Sequence, residues 1–582
     1  MSVLDHVQLH FVRTLDDALE LKRWLGERRR FLGVDTETGG FDHVRDELRL
    51  VQFGDLNHGW AVPYGDWAGF VKEVLETYDE AMVLHNSQFD ARFIHTATKQ
   101  RWKWENTHDT MTMAHLLDPL RPKGLKPLAA AHVDAKAVSA QQMLDDAMAT
   151  NKWSWATVPV DFPYYWVYGA MDPVLTCYMA EKFYPQIVSQ YSQVYDLEMN
   201  TLRVVYDMMI RGARVDLHYC EAKSTELMNW AHQAMQWTAE YFGVSSSMSS
   251  VQLGKAFKKV GVELPPVYTK SGAQSFDKEA LEMIDHPLAE TILRVRKVEK
   301  FVGPYLRNFI KMADTNDRVH PTIWALGTRT GRMSITDPAL QTLPRKDPTV
   351  RDAFIPSERR TLISCDYDQI EARLAAHFAQ DANMIAAFSG EDFFYALASQ
   401  IYGKPPSEIA KEERQLTKNT TYGKLYGAGP AKMAMTAKVP LEVMQGVVDG
   451  FDREFPGIKV LQRRINDTAA QRALTDGVAW IRTPMGRRLI ADDSKEYTLT
   501  NYLIQSHAAE ILKRALVEMD AAGLGEYMIL PVHDEVIFDV PHTEVADVLP
   551  VIGDVMSDKE NYLVPITASP EVIDGPWGSK YR

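Results

Sequence analysis

The chain has 582 residues, of which 46% are hydrophobic and 24% charged, with a formal net charge of −14. That length accommodates about three or four domains, and the composition is that of an ordinary globular protein, neither fibrous nor low-complexity. Three scattered cysteines, Cys177, Cys220 and Cys365, form neither a disulfide framework nor a metal-binding spacing, which fits a reducing interior. The beginning of the chain carries Asp5, Asp16 and Asp17 with no apolar signal core, and no apolar run is long enough to span a bilayer. A negative total superficially argues against a nucleic-acid partner. Such binding needs local rather than total positive charge. Arg294, Arg296, Lys297 and Lys300, then Arg329, Arg332, Arg345, Lys346 and Arg351, offer it.

In chain order, the first chemistry-bearing stretch is the short apolar strand Phe31-Leu32-Gly33-Val34, followed by Asp35-Thr36-Glu37. Side chains at i and i+2 of a strand share a face, so both carboxylates can reach one metal pair. His85-Asn86-Ser87-Gln88-Phe89-Asp90 follows the apolar run 81–84. Tyr168-Gly169-Ala170-Met171-Asp172 places Tyr168 and Asp172 four apart on a helix. Each piece alone is a common structural pattern, and Asp109 reads as structural. Residues 195–325 read as helical around a polar loop, with an amphipathic helix over 197–210 ended by the turn Arg211-Gly212-Ala213-Arg214.

The strand-like run Thr361-Leu362-Ile363 leads into Ser364-Cys365-Asp366-Tyr367-Asp368-Gln369-Ile370-Glu371-Ala372-Arg373. A carboxylate leaving a buried strand just before a helical turn is held rigidly and faces a cleft, where a divalent metal is commonly anchored. An aspartate that only N-caps a helix fits the same pattern. Next, a helix starting near Ser407, after Pro405-Pro406, is broken by Gly427-Ala428-Gly429-Pro430. It places Arg414, Lys418, Tyr422 and Tyr426 on one face. Two cations and two aromatics suit a triphosphate below a stacked base. A basic solvated face with half-buried tyrosines is the commoner meaning of such a pattern alone. Residues 501–516 form an amphipathic helix carrying Gln505. Finally, Val532-His533-Asp534-Glu535 lies between apolar runs and reads as the turn of a β-hairpin. Plain solvation explains such a turn in isolation. Asp366 and Asp534 together suit two-metal phosphoryl transfer, where carboxylates bridge ions roughly 3.5–4 Å apart.

Asp366 to Arg373 (DYDQIEAR), Arg414 to Gly427 (RQLTKNTTYGKLYG) and Val532 to Glu535 (VHDE), in this order and spacing, resemble the three polymerase motifs of family A DNA polymerases, the bacterial DNA polymerase I type. The earlier carboxylate pieces resemble the three exonuclease motifs of DnaQ-like 3′–5′ proofreading domains. The resemblance implies an α/β, ribonuclease H-like exonuclease domain at 1–190. An α+β polymerase domain follows, with thumb (195–325), first part of the palm (326–385), fingers (386–490) and second part of the palm (491–582). A 5′ nuclease, frequent ahead of this domain in bacterial members, has no room here, so the chain resembles a compact phage-type or large-fragment-type enzyme, the phage-type reading implying a replicative enzyme acting in a host cytoplasm.

Residue by residue, the resemblance implies that Asp35, Glu37, Asp90 and Asp172 bind two metal ions while Tyr168 orients the attacking water. Asp366, Asp534 and the Tyr367 carbonyl hold two further ions, Mg²⁺ in both sites with Mn²⁺ as a substitute. Arg414 and Lys418 bind the phosphates, and Lys418 protonates the departing pyrophosphate. Glu371 is the steric gate against a ribose 2′ hydroxyl and leans on Tyr426; Gln369 lies in the same nucleotide site. Tyr422 supplies the hydrogen bond lost when a nucleotide lacks its 3′ hydroxyl, so dideoxynucleotides are expected to be accepted. Glu535 supports the metal site without ligating.

Thr328-Arg329-Thr330-Gly331-Arg332-Met333-Ser334 and Pro338-Ala339-Leu340-Gln341-Thr342-Leu343-Pro344 resemble the family's duplex-contacting segment. Arg332 and Gln341 are thereby placed at the minor groove, whose acceptors are alike at every base pair. The resemblance further implies that Arg373, Gln505 and His533 touch the primer terminus and nearby duplex. Ser249-Ser250-Val251-Gln252-Leu253 and Thr269-Lys270-Ser271-Gly272 resemble the thumb, which grips phosphates without reading sequence. No long insertion suggests a built-in loop for a processivity partner.

The expected partners are primer–template DNA and dNTPs. Helicase/primase, single-strand binding protein or a processivity factor are accessory candidates, and the chain is expected to be a monomer. Four residues depart from the family pattern: Ala339 for Asn, Asp368 for Ser, Phe394 for His and Tyr497 for Arg. The alternatives are a repair-type polymerase, a nuclease on a DNA-binding polymerase platform, a non-catalytic scaffold and a lesion-bypass enzyme. The intact carboxylates speak against the scaffold, and Asp366, Asp534, Arg414 and Lys418 against the platform.

Overall fold

The computed structural model describes residues 3–343, 347–390, 392–492 and 495–582; Arg345 and Lys346 lie outside them. Among the described residues no helix is long and apolar enough to cross a membrane.

The first layer is a six-stranded mixed sheet of β1 (Gln8–Phe11), β2 (Leu32–Thr38), β3 (Leu48–Gly54), β4 (His58–Pro63), β5 (Met82–Leu84) and β6 (Thr107–Asp109), in the order β1-β4-β3-β2-β5-β6. Strand β2 runs antiparallel to β3 and parallel to β5. All its residues except Asp35 are buried, as befits a strand covered on both faces. The sheet is packed by α1 (Ser87–Thr98) and by the long α4 (Pro163–Gln190), which crosses β2, β3 and β4, while α2 (Thr110–Leu117) and α3 (Leu125–His132) lie against α4.

Helix α5 (Ser192–Arg211) follows and ends at Gly212, where the sequence places a turn. Its buried face carries Leu202, Val205, Tyr206 and Met209. Helix α6 (Leu217–Phe242) and the helix Pro287–Phe301 run side by side to a distal unit with its own small core of Leu253, Phe257, Phe276, Leu288 and Ile292. Basic residues here are partly internal. The Arg296 guanidinium donates to the carbonyls of Ser247 and Phe276, and Arg294 lies over Trp230.

The second sheet contains β7 (Arg360–Tyr367), β8 (Met528–Val532), β9 (Glu535–Pro541) and β10 (Ala568–Ile573), all antiparallel in the order β8-β9-β7-β10. Between β7 and β8 come α7 (Ile370–Ala379), α8 (Phe393–Tyr402), α9 (Lys411–Leu425) and α10 (Thr498–Ala521). Helix α9 starts at Lys411, not near Ser407. Residues Pro406–Glu408 form a separate 3₁₀ turn, and Glu413 reaches back to the Ala410 N–H at 2.9 Å and sets the true N-terminus. Helix α10 outruns the expected 501–516 at both ends.

One apolar core runs through both sheets, from Val34 and Phe53 through Tyr206 and Phe354 to Ile363, Val536 and Trp577. A buried ionic bridge reinforces the junction. Glu198 of α5 accepts from Arg487 and, at 2.7 Å through both oxygens, from Lys513 of α10; Arg487 also reaches Glu510 at 3.2 Å. Two acids balance two bases away from water, so removing one member strands a charge at a cost of about 3–5 kcal/mol. A second link joins α2 to the segment before Arg332, with the His115 imidazole 3.0 Å from the Thr328 carbonyl. Gly331 sits at φ +76°, and a Cβ there would come 2.7 Å from the Arg487 guanidinium carbon, so the backbone tolerates no side chain.

Candidate active sites

Strand alternation on β2 aims Asp35 and Glu37 to one side, as expected, and α4 brings Asp172 against them. Gly169 on α4 permits this approach, because a Cβ there would lie 2.5 Å from the Gln52 amide and 3.3 Å from the Glu37 side chain. Carboxylate oxygens of Asp35, Glu37 and Asp172 all lie within 4.8 Å of one another. Asp90 is not in that group. It stands next to it on α1, 2% exposed, with Oδ1 accepting from Thr36 at 2.6 Å. Asp109 is structural, as the sequence suggests: it N-caps α2 and accepts from the Ser87 N–H at 2.6 Å, which fixes the start of the helix carrying Asp90.

Burial, then the charge of Glu37, drives the Asp35 carboxyl well above its ordinary range, and burial raises Glu37 to about 8. Burial and Asp35 do the same to Asp90. Crowded acids of this kind call for a cation. An all-carboxylate oxygen set fits a hard divalent ion. The Tyr168 hydroxyl, pushed well above its usual value by burial and by Glu37 and Asp35, stays protonated as a donor.

The residue that sequence reasoning missed is Lys126 of α3. It is 6% exposed, ion-paired to Asp172, and its ammonium lies 4.2 Å from the Tyr168 ring centre. Burial lowers it to about 8 against the pull of Asp35 and Glu37. Lysines are seldom buried, and nothing in Gly124-Leu125-Lys126-Pro127 marks this one.

The second site is built at strand ends. Register pairs Asp366 of β7 with Glu535 of β9, which puts Asp366 beside Asp534 in the β8–β9 turn. The Tyr367 N–H points to the Asp534 carbonyl at 3.4 Å. His533 is exposed in that turn with φ +59°. Glu535 is fully engaged, accepting from Ser364 at 2.5 Å, Lys580 at 2.9 Å and Tyr581 at 3.0 Å. The Asp368 carboxylate accepts from Thr567 at 2.8 Å and Ser569 at 3.0 Å, tying the loop after β7 to β10. Gln369, at φ +54°, turns the chain from β7 into α7.

Helix α9 carries the expected cations, and its C-terminal end reaches the helix that follows Asp366. Arg414 grips Asp392 through two bonds of 3.1 and 2.6 Å. Phe394, where a histidine is usual, lies beneath both cations, its ring centre 5.7 Å from the Arg414 guanidinium carbon and 5.5 Å from the Lys418 nitrogen. Tyr422 stands 6.0 Å from Phe394 and 6.1 Å from Tyr426, and the Tyr426 hydroxyl donates to Glu371 at 2.7 Å. The expected contact between Glu371 and Tyr426 is therefore present. Tyr497 packs over Gly427, just past α9.

The residues expected at the duplex are spread more widely. Arg332 is ion-paired to Glu371. Gln341 donates to the Met333 carbonyl at 3.1 Å, and Arg373 to the carbonyls of Asp368 and Pro565 at 2.6 and 2.7 Å. Gln505 is half-buried on α10. Arg351, offered by the sequence as surface charge, is 3% exposed and lies against Trp577 and Tyr581.

A carboxylate cluster in a ribonuclease H-like layer, together with paired aspartates opposite a cation-bearing helix, defines an enzyme of phosphoryl chemistry with two separate sites. Residues 217–578 match the family model described as DNA polymerase family A, and residues 9–188 match that described as 3′-5′ exonuclease. The chain belongs to DNA polymerase family A and carries a 3′–5′ exonuclease domain. It is 29% identical to the DNA polymerase of Mycobacterium phage D29, covering 99% of this chain and 98% of that one. It is 27% identical to DNA polymerase I of Chloroflexus aurantiacus, covering 88% of this chain and 56% of that one. Among solved structures it resembles the POL domain of Pol1 from M. smegmatis, in complex with DNA primer-template and dNTP, at a TM-score of 0.79 and 22% identity, covering 99% of this chain and all of that one.

Proposed function

We propose that this polymerase extends a primer on a DNA template by transferring nucleotides from dNTPs at Asp366 and Asp534, and edits the primer end at Asp35, Glu37, Asp90 and Asp172. The observation that supports this reading is the register that sets Asp366 beside the Asp534 turn, with the end of α9 tied to the helix after Asp366 by the bond from Tyr426 to Glu371. Divalent ions, Mg²⁺ by their hardness, supply charge neutralisation and an acidified hydroxyl or water when bound.

Arg414 and Lys418 hold the triphosphate, both heads resting near the Phe394 ring, which requires Arg414 to exchange Asp392 for a phosphate. Lys418 donates a proton to the departing pyrophosphate. Glu371, held by Tyr426, fills the space of a ribose 2′ hydroxyl. Gln369 and Tyr422 line the same nucleotide site. Arg332, Gln341, Arg373, Gln505 and His533 meet the primer-terminal duplex, which requires Arg332 to exchange Glu371 for the minor groove. In the other site Tyr168 orients the water. The domain division is exonuclease, thumb, palm, fingers, palm, at the boundaries given above. The near full-length match to mycobacteriophage polymerases supports a replicative role for a phage in its host's cytoplasm.

The test is extension of a labelled primer–template with Mg²⁺, with and without dNTPs. Lengthening with nucleotides and shortening without them is the expected pair of results. Shortening under both conditions would sink the polymerase reading and leave a nuclease.

A further inference from the structure

The position of Lys126 is costly on three counts. The side chain is buried. It lies in the first turn of α3, where the helix dipole disfavours a cation. It also brings a charged head between carboxylates that the exonuclease reading, on which this inference rests, assigns to divalent ions. Among the described residues, the pairing with Asp172 in the cluster and the face of the Tyr168 ring offset these costs. The other cation whose charge reaches Glu37, Arg49, is already bonded to the carbonyls of Trp155 and Val158.

Asp172 cannot serve the ammonium and a divalent ion at full strength together. A buried ammonium that gives up its carboxylate needs another anion, because leaving it unpaired is strongly unfavourable. The anion that arrives with the reaction is a phosphate of the single strand.

We propose that Lys126 is a tethered cation that holds Asp35, Glu37 and Asp172 together in the metal-free enzyme, releases Asp172 as divalent ions load, and transfers its charge to a phosphate of the incoming strand. Lys126 is thus a positioning residue for the ion site and a binding residue for the strand. Strand and ion binding are coupled through it, and the coupling is reciprocal.

The experiment counts bound Mn²⁺ by electron paramagnetic resonance in protein carrying Asp366→Asn and Asp534→Asn, so that only the exonuclease ions are read. Titrations are run with and without an oligothymidylate whose phosphorothioate linkages resist cleavage. In Lys126→Met and Lys126→Gln, Mn²⁺ is expected to bind about tenfold more tightly without the oligonucleotide, the size typical of residues that tune a metal site from outside it. The tightening that the oligonucleotide confers should shrink. Lys126→Arg, which keeps the charge, should behave as the parent, and melting curves on all variants verify folding. Unchanged or weaker Mn²⁺ binding in both neutral variants, with binding lost in Asp35→Ala, overturns the role of Lys126 and leaves the metal site standing. Binding that survives Asp35→Ala overturns both.

Discussion

Asp35, Glu37 and Asp172 are gathered inside an α/β layer with a lysine from another element among them. Asp366 and Asp534 instead stand at a strand end and the neighbouring turn, and the cations proposed to act with them ride on α9, a separate helix. The first site is assembled by packing. Its acids are crowded enough to hold protons, and its counter-charge is built in. The second draws its acids and bases from different elements, joined through aromatic rings and the bond between Tyr426 and Glu371. A site that trims a single strand needs only a slot. A site that admits a triphosphate and a duplex gains from walls that move apart, as conformational gating requires.

The sharpest way to break this comparison is to disable one wall at a time. Asp366→Asn should lower primer extension by more than about 1,000-fold while shortening of a single strand persists. Asp35→Ala should do the reverse. Gel assays on both variants check this, and a variant that loses both activities would mean the sites are not separate.

Tyr422→Phe probes the α9 side of the second site alone. Loss of a hydrogen bond to a charged phosphate is worth about 1.5–3 kcal/mol, so discrimination against dideoxynucleotides should rise by about tenfold or more. Equal dideoxy/deoxy ratios in parent and variant would refute the role of the hydroxyl.

His115 tests the junction between the two regions. Burial, then Arg487, lowers its imidazole to about 3. The unfolded chain takes up a proton near the ordinary value of about 6.5, which the folded protein cannot do. Stability is therefore whole above pH 6.5 and falls as pH drops through the window down to about 3, by about 2 kcal/mol between pH 6.5 and 5. Denaturant melts of His115→Gln should show a flatter pH dependence there. An unaltered slope would show that His115 is not the group responsible.

The smallest effect belongs to Asp368→Ser. The two hydroxyl bonds to β10 are partly exposed and worth about 1 kcal/mol, so extension should change by less than about tenfold, and a larger loss would place that carboxylate in the chemistry.

What could be read from the sequence were relations within one element. The alternation of Asp35 and Glu37, the four-residue spacing of Arg414, Lys418, Tyr422 and Tyr426, and the polar turn at His533-Asp534 all follow from strand and helix periods. Relations between distant segments carried no such mark. Lys126 among the exonuclease acids, Arg332 on Glu371, Phe394 under two cations and Arg351 beneath Trp577 arise from tertiary packing. A basic residue looks the same in sequence whether it meets DNA or a carbonyl. The start of α9 slipped because Pro405-Pro406 announces a turn, and the Glu413 cap three residues past Ala410 is a weaker signal.

The bridge of Glu198, Arg487, Glu510 and Lys513 has a mechanical consequence. It fastens the helix that leaves the exonuclease layer to the body of the polymerase, in the same place where Gly331 leans on Arg487. A load applied between the two regions is carried by four buried charges, so neutralising any one of them would loosen the joint and destabilise the fold together.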